Sequence, residues 1–285
     1  MIVPRSKHFS PRRSRLEALV NLVLMGGVVS ALSYHCGLHG RLGVTRHAIA
    51  LPEGKRLPRP IKIAFASDFH AGPPTHAGIF RDLFAAVAAE QPDVLLLGGD
   101  YVSGQAANIA VMCPPLAACQ PPLGKFAVLG NHDLSTDDGD ICRRLETAGV
   151  QMLVNRAVQL PAPFGAVSIC GLDDPWTGEP NAAAAFAGVA DSDVRVLLMH
   201  APDGLLTVAE RQYDVAFAGH THGGQIALRD GTPLVLPEGP LSRPYHYGRF
   251  PVRGNGELIV SRGVGCSRIP VRINADPELV ICTVQ

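Results

Sequence analysis

Five runs of apolar β-forming residues, Ile61–Ala66, Val94–Leu97, Phe126–Leu129, Val194–Met199 and Val215–Ala218, each lead directly into a segment that carries acid, imidazole or amide side chains. Those segments are Asp68-Phe69-His70, Gly98-Gly99-Asp100, Gly130-Asn131-His132-Asp133, His200 and Gly219-His220-Thr221-His222. Short continuous apolar runs bounded by glycine are the pattern of strands buried on both faces. Strands of that kind, each ending in ligand-type residues, deliver oxygen and nitrogen donors to one edge of a sheet.

With 285 residues, 47% of them hydrophobic, and a formal net charge of +0, the chain has enough apolar material for one substantial core. The charge balance gives no global reason to expect a nucleic acid as partner. Seven cysteines, at 36, 113, 119, 142, 170, 266 and 282, contain no Cys-x-x-Cys pair, which argues against a thiolate metal site and against a disulfide framework.

The N-terminus has its own pattern. Arg5, Lys7, Arg12, Arg13 and Arg15 precede the first acid, Glu17, and residues 18–40 then contain no Asp, Glu, Lys or Arg. At about 1.5 Å per helical residue such a stretch can cross a hydrocarbon core of roughly 30 Å. The first reading is an uncleaved transmembrane anchor; a signal segment cleaved near Tyr34, releasing a soluble exported phosphatase, is the alternative. The basic end then stays in the cytoplasm, which puts the chain in the inner membrane with its catalytic domain on the extracytoplasmic side. The expected layout is a basic N-terminus at 1–17, the anchor at 18–40, a Pro-containing linker at 41–60 and a catalytic domain at 61–285.

Within that domain, apolar spacings of three and four predict an amphipathic helix over Gly78–Glu90. Further helices are expected at Asp140–Thr147, at Ala182–Ala187 and, from its early proline, at Pro202–Arg211. Strand-like runs at Gln151–Gln159, Ala166–Gly171, Gln225–Leu228, Leu258–Ser261 and Leu279–Val284 point to a mixed second sheet, and Pro233–Pro251 reads as a long loop.

Hydrolysis of a phosphate ester near neutral pH needs an activated water, neutralised phosphoryl oxygens and a proton for the leaving group, and two divalent ions about 3.5–4 Å apart supply the first two. One carboxylate should bridge the ions, and Asp100 is the candidate. Asp68 and His70, two residues apart at a strand end, can converge on one ion, and His220 and His222 repeat that spacing. His200 adds an imidazole and Asn131 a neutral oxygen. Such a donor set suits manganese, zinc, iron or nickel. His132 is placed to protonate the leaving oxygen, with Asp133 fixing its tautomer or raising its basicity. Arg243, Tyr245 and His246 are candidate substrate contacts.

Taken in order, these segments resemble the calcineurin-like metallophosphoesterase family. The resemblance implies a four-layer α/β/β/α sandwich of two mixed sheets flanked by helices. It also implies one metal held by Asp68, His70, Asp100 and His222, a second held by Asp100, Asn131, His200 and His220, and His132 as catalytic acid. Gly99-Asp100-Tyr101-Val102-Ser103-Gly104 lacks the phosphate-gripping arginine of protein Ser/Thr phosphatases. The uncharged N-terminal stretch, the run from Gly219 to Gln225 and the tail from Ser261 to Glu278 are similar to a membrane-associated branch that includes proteins similar to UDP-2,3-diacylglucosamine pyrophosphatases of lipid A biosynthesis. A phosphoester substrate, small or lipid-linked, is implied by that resemblance; a non-catalytic metal-binding scaffold is the competing reading.

Overall fold

Alternate residues of strand β2 (Ile61–Ala66) enter different layers of the molecule. Ile61, Ile63 and Phe65 join one buried apolar cluster, while Ala64 and Ala66 join another. The same happens in β8 (Val194–Leu198), where Val194, Val196 and Leu198 share the first cluster and Leu197 turns to a third. The period of two along a strand thus sorts one continuous apolar run into two layers. The shared cluster is the interface between two stacked sheets.

A computed structural model describes residues 27–285. The first sheet has the order β1 (Gly43–Ile49), β12 (Glu278–Val284), β2, β3 (Val94–Leu97), β4 (Lys125–Ala127) and β5 (Gln151–Met152). All its pairings are parallel except β12 with β2. The second sheet runs β10 (Gly248–Pro251), β11 (Glu257–Val260), β9 (Val215–Ala218), β8, β7 (Val167–Gly171) and β6 (Arg156–Gln159), with antiparallel pairs at its two edges.

Helices flank the sheets unequally. The outer face of the first is covered by α2 (Gly78–Glu90), α3 (Cys113–Ala118) and α5 (Asp138–Thr147), which bury Ile79, Phe80, Leu83, Leu116, Ile141 and Leu145 against it. Among the described residues, the outer face of the second carries one α-helix, α6 (Ala182–Ala185), and irregular chain, including Tyr245, which packs with Phe250 of β10. The expected sandwich of two mixed sheets flanked by helices is present, with a thin fourth layer.

Several expectations are corrected. The linker at 41–60 begins with strand β1, paired in parallel with β12 along its whole length, so the sheet starts before Ile61. The rest of that segment is tied down by the Lys55–Asp214 ion pair at 2.7 Å and by Arg59 on Asp93. Gln151–Gln159 is two strands, β5 and β6, which belong to different sheets. Pro202–Arg211 is only a 3₁₀ turn over Pro202–Thr207, because Gly204 weakens a helix by about 1 kcal/mol and Val208 is extended. Gln225–Leu228 makes isolated bridges, Ile226 with Ile273 and Ala227 with Pro233, rather than a strand.

More than half of the segment expected as the membrane span, residues 27–40 of 18–40, is folded onto the domain: α1 (Val28–His35) buries Ser30 and Ser33, Ser33 bonds to the Pro270 carbonyl, Tyr34 bonds to Asp82, and His39 is buried. Cleavage near Tyr34 would cut that helix. Residues 18–26 lie outside the described residues, and among the described ones no helix is long and apolar enough to cross a membrane.

Candidate metal centre

The strand ends of both sheets converge on one buried cluster. Asp68, His70 and His222 place one ligand atom each within 4.8 Å of one another, and so do Asp100, His200 and His220. Asp100 lies between the groups: its Oδ2 is 3.5 Å from His70 Nε2 and 3.5 Å from His200 Nε2. Around it, His222 Nε2 is 3.0 Å from His70 Nε2 and 3.5 Å from Asp68 Oδ1, and His220 Nδ1 is 3.2 Å from His200 Nε2. Asn131 Oδ1 is 3.1 Å from His200 Nε2. All seven residues expected as ligands are brought together.

The backbone carries strain to achieve this. Asp68, His70, Asp100, His220 and His222 all have φ between 45° and 71°. Left-handed conformations are uncommon for residues with a Cβ, though Asp and His are enriched among those that adopt them, and each costs of order 1–3 kcal/mol unless the surroundings impose it. Here the imposition is visible. Ser67 Oγ donates to Asp68 Oδ2 at 2.6 Å, and the His220 N–H donates to the Asp68 carboxylate at 3.0 Å. Gly219 is required for that approach, since a Cβ there would collide with the Asp68 carboxylate and Ser67.

Burial lowers the His70 and His220 imidazoles to about 3, and His222 falls well below its ordinary value for the same reason. Neutral rings keep a lone pair for a cation. His200 behaves oppositely: burial would lower it, but the Asp100 carboxylate beside it lifts it well above the ordinary range. Burial, reinforced by Asp100, raises Asp68 to about 6. Two carboxylates, four imidazoles and one amide without a thiolate are a donor set suited to two borderline divalent ions.

His132 sits half-buried at the start of the short helix α4 (Asn131–Leu134), its ring edge-on to His70 at 4.7 Å. Its backbone N–H donates to Asp100 Oδ1 at 2.9 Å. Asp133 has a different role from the one expected. Its carboxylate accepts from the N–H groups of Asp100, Gly130 and Tyr101 at 2.8–2.9 Å, so it clamps two ligand loops together and leaves the His132 ring alone.

Of the three expected substrate contacts, Arg243 and His246 line a cavity of about 390 Å³ together with Tyr247, Arg262 and residues 230–233. Tyr245 does not. Its ring packs on Phe250 in the second sheet's outer layer, 5.1 Å between centroids. Arg262 lies over the Tyr247 ring at 3.8 Å, and Thr221, between two ligand histidines, donates to the His246 carbonyl.

Two neighbours of the cluster have no counterpart among the expected residues. Trp176 stacks on His220 at 5.6 Å, held by Asp174, which accepts from the Trp176 and Thr177 N–H groups. Asp173-Asp174 comes after the apolar strand β7, the same strand-then-acid pattern that marks the ligands, so a sixth segment was there to be found. Arg272 is buried behind His222, with Nη2 3.2 Å from its Nδ1 and further bonds to the Gly265 and Ala275 carbonyls.

Comparison with known proteins agrees with this geometry. The family model for calcineurin-like phosphoesterases matches residues 61–224. The chain belongs to that family and is a metallophosphoesterase, a hydrolase. It is similar to phosphodiesterase YaeI of Escherichia coli (strain K12), with 30% identity over 250 residues, covering 85% of this chain and 88% of that one. It also resembles the uncharacterized metallophosphoesterase YkuE of Bacillus subtilis (strain 168), with 28% identity covering 79% of each chain. A third relative, an uncharacterized metallophosphoesterase of Aquifex aeolicus (strain VF5), is 31% identical over 82% of this chain and 89% of its own.

Proposed function

We propose that this chain hydrolyses a phosphodiester or pyrophosphate bond with two divalent metal ions, on a substrate presented at a membrane surface. Asp68, His70, Asp100 and His222 would hold one ion, and Asp100, Asn131, His200 and His220 the other. The observation that carries the reading is the Asp100 Oδ2 atom, equidistant at 3.5 Å from an imidazole nitrogen of each group. When bound, the pair supplies an activated water and neutralises phosphoryl charge.

The remaining steps fall to side chains of the protein. His132, anchored through its N–H to Asp100 and left half-accessible, donates the proton to the departing oxygen. Asp133 keeps the Asp100 and Asn131 loops in register, so that acid and ligands share one frame. Arg243, His246 and Arg262 line the adjoining cavity, where guanidinium groups suit a second phosphate or a nucleotide-like anion.

The class of bond is supported by the similarity to a protein named a phosphodiesterase. Membrane attachment is supported by the basic residues before Glu17 and the uncharged residues after it. A lipid-linked pyrophosphate such as UDP-2,3-diacylglucosamine, an intermediate of lipid A synthesis, is the finer form of the proposal, with the inner membrane as its site. The test is hydrolysis of an aryl phosphodiester with manganese. His132→Ala should lower kcat by about 10²–10⁴-fold while metal content is unchanged; undiminished turnover in that variant would remove His132 as the acid.

A further inference from the structure

Large exposed apolar side chains are not spread evenly over the described residues. Of the eleven, eight lie in three short segments, 28–38, 228–235 and 269–273, with Val235 at 74% and Leu234 at 58% exposure. Distant in sequence, these segments are joined in space by backbone bonds. The Arg272 N–H donates to the Leu38 carbonyl, the Ala227 N–H to Ile273, and the Leu234 N–H to Ile226. The side chain of Ser33 closes the set on Pro270. Their exposed members, Leu32, Leu38, Leu234, Val235, Ile269 and Ile273 among them, thus lie on neighbouring segments and make up one apolar patch drawn from three parts of the chain.

Isolated exposed hydrophobic residues need no explanation, but a contiguous apolar patch marks an interaction surface. Three observations identify its partner. The patch includes α1, the first described helix, which follows a sequence with five basic residues and then an uncharged run. Exposed Arg229 and Arg268 lie within or beside its segments; of the exposed acids nearby, Asp230 is engaged by the Thr232 N–H, and Glu238 and Asp276 lie three residues beyond Val235 and Ile273. The cavity holding Arg243 and Arg262 is walled by residues 230–233 on the patch side. An apolar surface rimmed by arginine is what an anionic bilayer receives, apolar groups entering the acyl boundary and guanidinium groups meeting phosphates.

We propose that this patch docks flat on an anionic lipid bilayer, so that the arginine-lined cavity opens at the level of the lipid head groups. This goes beyond attachment through the N-terminal segment, because it assigns a second surface with its own readout. The patch is built on the loops that carry His222. Gln225, at the end of the His222–Gly224 turn, bonds the Ile269 and Val271 carbonyls, and Arg272 reaches His222 itself. The patch and the His222 side of the cluster are therefore held in one frame.

The experiment uses the full chain in vesicles of phosphatidylglycerol and brominated phosphatidylcholine, which quench tryptophan within the acyl region. Val235→Trp is compared with Val111→Trp, an exposed position outside the patch, after subtraction of the native Trp176 signal. Docking predicts that Val235→Trp is quenched about threefold more than Val111→Trp and shifts to shorter wavelength. Equal quenching would overturn the proposal even with the chain held by its N-terminus. A detergent-soluble dimer split by Val235→Asp would identify the patch as a contact between copies and would also overturn it. Hydrolysis of a soluble aryl phosphodiester by the same preparations reports on the metal centre separately, so loss of docking and failure of the catalytic reading are told apart.

Discussion

The ligand cluster and the rim formed by residues 225–247 and 262–275 touch through Arg272 and His222, yet they are stabilised in opposite ways. In the cluster every carboxylate and nearly every imidazole is buried, and the loops are locked by bonds to Asp68, Asp100 and Asp133. In the rim, arginines and large apolar groups remain exposed on irregular chain held by isolated bridges. The cluster fixes a reaction class by rigid placement of donors. The rim, with no sheet to constrain it, is where substrate and location can vary without disturbing that chemistry.

The contrast is broken most severely at Asp133. Replacing it with Leu leaves three buried N–H groups without acceptors, at about 1–3 kcal/mol each. Denaturant unfolding should therefore show a loss of at least about 3 kcal/mol, with activity falling alongside. An unchanged midpoint together with a shifted pH profile would instead restore the role of tuning His132.

The next effect should appear in metal affinity against pH. Burial holds Asp68 with a raised value of about 6 in the metal-free protein, so its carboxylate takes up a proton as pH falls through that value and ceases to be a ligand. Manganese titrations should show affinity falling from pH 7.5 to pH 5, by about tenfold per proton that must be displaced and per pH unit. Affinity independent of pH across that window would place the ion elsewhere.

At the rim the effect should be smallest and selective. Arg262→Ala removes a guanidinium that stacks on Tyr247 and lines the cavity. It should raise KM for a pyrophosphate-linked nucleotide by about tenfold, as expected for one charge-assisted hydrogen bond, with kcat for a simple aryl diester unaltered. A fall in kcat for both substrates would erase the distinction between rim and cluster.

This division explains what could be read from the chain. Strands β2, β3 and β9 have the boundaries that their apolar runs define, and all seven expected ligands meet, because strand ends are local in sequence and their convergence results from stacking. The clamping role of Asp133 is hidden because two of its partners are backbone N–H groups more than thirty residues away, which no side-chain pattern encodes. The left-handed conformations at the ligands are equally invisible in composition. Strand β1 reads as linker because its support comes from β12, at the far end of the chain. Arg272 and the apolar patch arise only when 28–38, 225–235 and 269–273 are laid side by side.

Electron paramagnetic resonance of the manganese-loaded chain tests the shared position of Asp100 most directly. The wild-type protein should give the multiline spectrum of an exchange-coupled manganese pair, and Asp100→Asn should lose the coupling. A spectrum of isolated manganese in the wild type, or a coupled spectrum that survives in Asp100→Asn, would contradict the account.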